Sequence, residues 1–175
     1  LLADPEFVKK TEQGKADEIN TCIACNQACL DHTFENKRAI CLVNPRACHE
    51  TELVYTKVTQ ARKVAVIGAG PAGRAAATVA AERGHKVTLF EGRSEIGGQF
   101  TYASKIPGKE EFKETIRYFS TMIERLGIDL KLNHQVSSEE LAAAGFDDVV
   151  VATGVAPRIP SMPGIDHPKV VSYQD

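Results

Sequence analysis

Apolar positions are scattered through the first third of the chain and strongly periodic through the rest. Leu1 to about Thr21 contains "ADPEFVKKTEQGKADEIN", a polar stretch with little apolar repeat, and reads as one helix or helix remnant. Between Cys22 and about Gln60, Asn, Asp and Pro interleave with cysteines and neither a period of 2 nor one of 3.6 is sustained. Something other than a hydrophobic core must order that stretch. From Arg62 the pattern changes. "KVAVI" predicts a buried strand, "PAGRAAATVAAERG" a small-residue helix closed by Gly84, and "KVTLF" a second strand, which together make a β-α-β unit. A longer helix is predicted over about Glu110 to Leu126, with Phe112, Ile116, Phe119, Ile123 and Leu126 on one face and Gly127 as its stop. "IDLKL" then alternates as a strand, Ser137 and Glu140 have capping-box spacing before a short helix, and "DDVVVA" predicts a buried strand leading into Thr153 and Gly154.

Composition changes this picture only by exclusion. Lys+Arg 21 against Asp+Glu 23 gives a net charge of -2, so no basic excess draws a nucleic-acid backbone or an anionic membrane. No apolar run approaches the roughly 20 residues of a spanning helix, and the N-terminus has neither a charged n-region nor an h-region. Neither nucleic acid nor membrane is an expected partner, and the expected location is cytoplasmic. The chain opens on Leu1 without a methionine and closes on the apolar "VVSYQD" without a cap, so it reads as a piece of something longer.

Candidate chemistry begins at "VIGAGPAG". Gly68, Gly70 and Gly73 form G-x-G-x-x-G after a strand and at the mouth of a helix, with Pro71 and Ala72 in its first turn. In that pattern the first glycine permits a tight turn, the second lets the backbone approach a pyrophosphate, and the third allows close helix-strand packing. Glu91 ends the second strand eighteen residues beyond Gly73, where a carboxylate can accept from a ribose diol. Glycines alone at a helix entry bind nothing in particular, but here strand, helix, second strand and terminal Glu are all present. Because Glu91 repels a 2′-phosphate, NADP is disfavoured at this site and FAD or NAD remains. The predicted fold class is therefore α/β, an incomplete Rossmann-like βαβ domain, FAD-binding on the resemblance that follows, preceded by an irregular cysteine-rich segment.

Later elements favour FAD by resemblance. In "EGRSEIGGQ", Gly97, Gly98 and Gln99 resemble the second glycine element of glutathione-reductase-like flavoproteins. "VVVATGVAPRIP", with Ala152, Thr153 and Gly154, resembles their strand-to-junction motif, and Val136 stands where those proteins offer backbone contacts to the adenine. Arg74 departs from the small or apolar residue usual there.

All five cysteines lie in the aperiodic stretch. Cys22, Cys25, Cys29 and Cys41 are spaced C-x2-C-x3-C-x11-C and Cys48 is left over. Three thiolates within eight residues can wrap one corner of a compact metal centre, and a fourth from a returning loop can close it. An odd count in a chain that otherwise reads as a reduced enzyme argues against disulfides. The thiols alone leave zinc and iron-sulfur open. The neighbouring flavin motif favours a [4Fe-4S] cluster, a one-electron acceptor beside a two-electron donor. Cys48 is expected to be a small buried side chain, His32, His49, His85, His134 and His167 have no assigned role, and "KEEFKE" and "SSEE" read as solvated helix faces.

From "LLADPEFV" through "CIACNQACLDHTFENKRAICLVNPRACHE" to "GIDHPKVVSY" the chain resembles the bacterial-type NADPH-dependent 2,4-dienoyl-CoA reductases, in the class that includes trimethylamine dehydrogenase. The resemblance implies a larger parent in which NADPH reduces FAD and electrons pass singly through the cluster to FMN in a TIM barrel, for reduction of an unsaturated acyl-CoA in fatty-acid β-oxidation. It implies three zones: residues 1–21 as the end of the barrel, 22–60 as the cluster-binding segment, and 61–175 as the first part of the FAD domain. The barrel with FMN and the acid catalyst would precede Leu1, and the NADPH domain would follow Asp175. No catalytic residue is then expected in this chain, which alone would be inactive. A related amine dehydrogenase or glutamate-synthase-like subunit is the alternative enzyme; a zinc knuckle beside a nucleotide-binding domain is the non-catalytic one.

Overall fold

A computed structural model describes residues 1–173; the last two positions of the third zone, Gln174 and Asp175, lie outside the described residues. The elements are α1 (Phe7–Glu12), a 3-10 turn (Ala16–Glu18), α2 (Leu30–Phe34), β1 (Lys63–Ile67), α3 (Pro71–Glu82), β2 (Lys86–Phe90), α4 (Phe100–Ala103), α5 (Phe112–Arg125), β3 (Asp129–Lys131), α6 (Ser138–Ala143) and β4 (Asp148–Val151). The four strands pair in parallel in the order β3-β2-β1-β4. This is the α/β, Rossmann-like architecture expected.

The core lies between this sheet and α3 with α5. Val64, Val66, Val87 and Leu89 meet Ala77 of α3 and Ile123 of α5, and Ile116, Phe119 and Leu126 pack around them. The predicted apolar stripe of α5 thus faces the sheet. Phe112 leaves it to meet the edge of the Phe100 ring, with centroids 4.8 Å apart. Small side chains let α3 settle close to the strands, as Ala77 at 0% exposure shows.

Two expectations are corrected here. Leu1 to Thr21 is not one helix: α1 stops at Glu12, and Gly14 turns the chain at a φ of +69°. With no apolar stripe to bury, the segment folds around a buried carboxylate instead. Asp4 accepts from the amides of Glu6 and Asn20 and pairs with Lys10 at 2.6 Å, while Lys10 also donates to the Glu18 carbonyl. The second correction concerns "DDVVVA". Among the described residues β4 pairs with β1 alone and stands at the sheet edge, with Val149 45% and Val151 70% exposed. A run of valines suits a strand covered on both faces, but being an edge depends on partners, which composition does not encode.

Arginines on α5 fasten the first segment to the sheet domain. Arg117 donates to the carbonyls of Asp17 and Ile19 and to Thr21 Oγ1, and its Nε pairs with Glu114 at 2.7 Å. Arg125 pairs with Glu18. Tyr118, between them on α5, has its phenol pushed up to about 12, first by burial and then by the charges of Glu82 and Asp4.

The capping-box reading holds by half. Ser137 Oγ accepts from the Glu140 amide at 3.1 Å, whereas the Glu140 carboxylate turns to His134 Nε2. Ser137→Ala is expected to cost about 1 kcal/mol of stability, measured by urea unfolding, through the loss of that cap. Among the described residues no helix is long and apolar enough to cross a membrane.

Candidate functional site

β1 ends at Ile67, and the chain must turn at once into α3. Gly68 takes a φ of +101°, and a Cβ there would stand 2.4 Å from the Ala152 carbonyl oxygen at the end of β4. Gly73 is tighter still, since its Cβ would fall 1.8 Å from the Gly68 carbonyl oxygen. Gly70, the N-cap of α3, meets nothing within 4 Å on that side. Two glycines therefore let the turn, the helix and β4 close on one another, and the third leaves an open face.

That face borders a cavity of about 630 Å³ at the carboxyl ends of β1, β2 and β4. It is lined by Gly68, Gly70, Pro71 and Ala72 from the turn, by Glu91 and Gln99, by Val136, and by Ala152, Thr153 and Gly154. Gly73 and Gly98 stand behind it. A Cβ on Gly98 would lie 2.9 Å from Gly70 Cα, so the second glycine element packs directly on the first. A smaller hollow of about 440 Å³, between Lys63, His85 and Lys86, sits at the opposite end of the sheet. Open α/β sheets take ligands at the carboxyl ends of their strands, which points to the larger cavity.

Glu91 has a structural duty that spacing did not reveal. Its Oε2 accepts from the Ala69 amide at 2.8 Å and its Oε1 from the Arg93 amide at 3.0 Å, so the carboxylate braces the glycine turn from 22 residues away. Each oxygen keeps a second lone pair for a hydroxyl. The sequence reading also missed wall residues. Arg93 lines the cavity with its guanidinium 5.3 Å from the Tyr102 ring, and Phe100 and His134 contribute as well. Their nearness to Glu91, Gln99 and Val136 along the chain was the available signal.

The fit to a dinucleotide is good. A backbone free of side chains at Gly70, the N-terminus of a twelve-residue helix and an acidic strand end form a cradle for a pyrophosphate and a ribose. Beneath it lies Arg74, fully buried. Burial alone pushes its guanidinium down to about 10.

The five thiols are all free. Cys25, Cys29 and Cys41 are half-buried and Cys22 is exposed. Ala24 and Asn26, at φ of +53° and +56°, bend the chain on either side of Cys25, and the Ala24 amide donates to Cys22 Sγ at 3.4 Å. The returning loop is pinned beside the first, because the Ile40 amide donates to the Ala28 carbonyl at 2.8 Å, one residue before each of Cys41 and Cys29. Four soft thiols on two joined loops suit an iron-sulfur cluster or zinc. Among the described residues, however, no set of three or more Cys, His, Asp or Glu side chains is gathered closely enough to grip an ion. In such loops the metal itself supplies the energy that closes the shell.

Cys48 is corrected: it is exposed rather than buried, at a φ of +61° in a turn where its amide donates to Glu50 Oε1. The adjacent His49 joins Arg38 on the Glu52 carboxylate, at 2.7 and 2.6 Å, and hydrogen bonds from His49 and then Arg38 hold that carboxyl below the usual range.

Comparison with known proteins adds the following. The family model described as pyridine nucleotide-disulphide oxidoreductase matches residues 62–175. A metal reductase of Desulforamulus reducens is 40% identical over 179 residues, covering 100% of this chain and 27% of that protein. A solved complex of 2-naphthoyl-CoA reductase with 2-naphthoyl-CoA superposes with a TM-score of 0.96 at 40% identity, over 99% of this chain and 27% of that one. The 6-hydroxypseudooxynicotine amine oxidase of Pseudomonas geniculata N1 gives a TM-score of 0.84 at 29% identity, over 95% of this chain and 27% of that one. The chain thus spans about a quarter of the length of these relatives, which are named as reductases or oxidases.

Proposed function

Since this chain belongs to the pyridine nucleotide-disulphide oxidoreductase family, we infer that its cavity holds FAD and that the chain is the electron-relay section of a larger flavin and iron-sulfur oxidoreductase. The parent in this reading is a cytoplasmic enzyme resembling 2,4-dienoyl-CoA reductase, using NADPH to reduce an unsaturated acyl-CoA at FMN in a barrel domain. Residues 1–21 then end the barrel, 22–60 hold a [4Fe-4S] cluster on Cys22, Cys25, Cys29 and Cys41, and 61–175 begin the FAD domain. FAD would supply the change from electron pairs to single electrons, and the cluster would carry them.

The observation that carries this reading is convergence: residues drawn from the glycine turn, the end of β2, the Gly97–Gln99 element, Val136 and the end of β4 meet in one cavity. The chain's own part is to bind and orient. Gly70 and the α3 N-terminus receive the pyrophosphate, Glu91 takes the ribose while holding the turn, and the paired loops present four thiols.

The acyl-CoA reading is favoured over amine oxidation by the higher likeness to the 2-naphthoyl-CoA reductase complex than to the amine oxidase. Anaerobic NADPH oxidation by the intact protein on addition of a dienoyl-CoA, with no reduction of an artificial electron acceptor by a secondary amine, is the expected result; amine-dependent reduction of the acceptor without dienoyl-CoA-dependent NADPH oxidation would overturn the substrate class. Glu91→Ala is expected to weaken FAD binding roughly tenfold, by loss of a charged acceptor and of the brace on Ala69. An affinity equal to the parent's in a flavin fluorescence titration would show that the ribose contact is misassigned.

A further inference from the structure

Arg74 is a wholly buried cation that the site as described does not use. It is 0% exposed, and only desolvation acts on its charge. Its hydrogen bonds are long: Nε reaches the Gly70 carbonyl at 3.4 Å and Nη1 the Thr115 carbonyl at 3.5 Å. Among the described residues Nη2 has no partner, and neither has the buried Thr115 Oγ1. The rings of Phe119 and Phe100 stand 4.8 and 5.8 Å from its central carbon. Aromatic faces compensate a buried guanidinium only in part. A charge taken out of water without an opposite charge is a net cost, one that an apolar side chain of similar size would avoid.

The place of the guanidinium indicates what compensates it. Gly70, whose carbonyl it holds, is the open N-cap of α3, and Phe100 lines the same cavity. Gly98 packs directly against Gly70. Arg74 therefore lies directly beneath the junction of the two glycine elements, where the cavity wall is thinnest in side chains and interactions between charges are strongest.

We propose that Arg74 is the fixed counter-charge for the pyrophosphate of the bound dinucleotide, acting through the Gly70 turn rather than by lining the pocket. The inference rests on the dinucleotide reading of the cavity and deepens it. An anion in the cradle offsets the buried charge, so ligand binding and folding are coupled more tightly here than a glycine turn alone would make them.

The test uses the intact protein stripped of flavin, with Arg74→Met and Arg74→Lys. Arg74→Met is expected to weaken FAD binding roughly tenfold, while the melting temperature of the flavin-free protein stays level or rises because an uncompensated charge has been removed. Arg74→Lys keeps the charge and should bind FAD within about threefold of the parent. Inorganic pyrophosphate should raise the melting temperature of the parent and of Arg74→Lys but not of Arg74→Met. Equal FAD affinity and equal pyrophosphate stabilisation in parent and Arg74→Met would overturn the proposal. So would an affinity loss that accompanies a lower melting temperature and is not restored by lysine. If the parent itself fails to bind FAD, the dinucleotide reading falls, and the pyrophosphate arm still decides the role of Arg74.

Discussion

Cys29→Ala strips iron from the intact protein and leaves the sheet domain folded: that is the expected result with the largest effect on chemistry. The substitution removes a sulfur and little else, because the backbone at residue 29 is held independently of its side chain. The Cys29 carbonyl accepts from the Thr33 amide at 3.2 Å and from Thr33 Oγ1 at 2.8 Å as α2 begins. A cluster that needs four thiolates is then short of one, and iron and sulfide content should fall from near full occupancy to near zero. The anaerobic protein should lose the broad visible band that bleaches on reduction. Far-ultraviolet circular dichroism should be little changed, since the core around Val66 and Leu89 lies in another part of the chain. Unchanged iron would remove Cys29 from the ligand set, and a colourless, zinc-loaded parent would replace the cluster with a structural metal.

Gly73→Ala should have the largest effect on folding. Its Cβ would stand 1.8 Å from the Gly68 carbonyl oxygen, and that oxygen belongs to the turn itself, so no flexible side chain can swing away. Relief requires α3 to move off β1, which separates Ala77 from Val64 and Val66 in the core. A loss of more than about 4 kcal/mol is expected, with loss of FAD binding. Gly70→Ala is the control: its Cβ meets nothing within 4 Å, so urea unfolding should shift little while FAD affinity falls, the methyl group intruding on the ligand. Should Gly73→Ala unfold like the parent, the close packing of turn and helix would be refuted.

Much of the fold was legible because it is written in short-range pattern. β1 and β2 span the apolar runs "KVAVI" and "KVTLF" themselves, and α3 begins at the Pro71 that G-x-G-x-x-G places there. α5 begins two residues later than expected, at Phe112, because Glu110 turns its carboxylate to the Gly108 amide and closes a turn before the helix. Most of the cavity-lining residues were legible for a similar reason: they follow a strand end or a glycine that fixes where the backbone goes.

What escaped the sequence depends on groups far apart in it. Asp4 is an ordinary acidic residue until Asn20 and Lys10 fold onto it, and Arg117 is one more charge on a polar helix face until Asp17, Ile19 and Thr21 present their oxygens. Sequence by itself determined the β-α-β order, the turn that can cradle a phosphate and the supply of thiols, since these follow from local sterics and residue chemistry. Tertiary structure alone decided that β4 stands at the edge of the described sheet, that Glu91, expected to accept from a ribose, also braces the glycine turn, and that Arg74 is buried without a counter-charge among the described residues. Each of these turns on which distant atoms meet and how much water is left between them, and no local pattern carries that information.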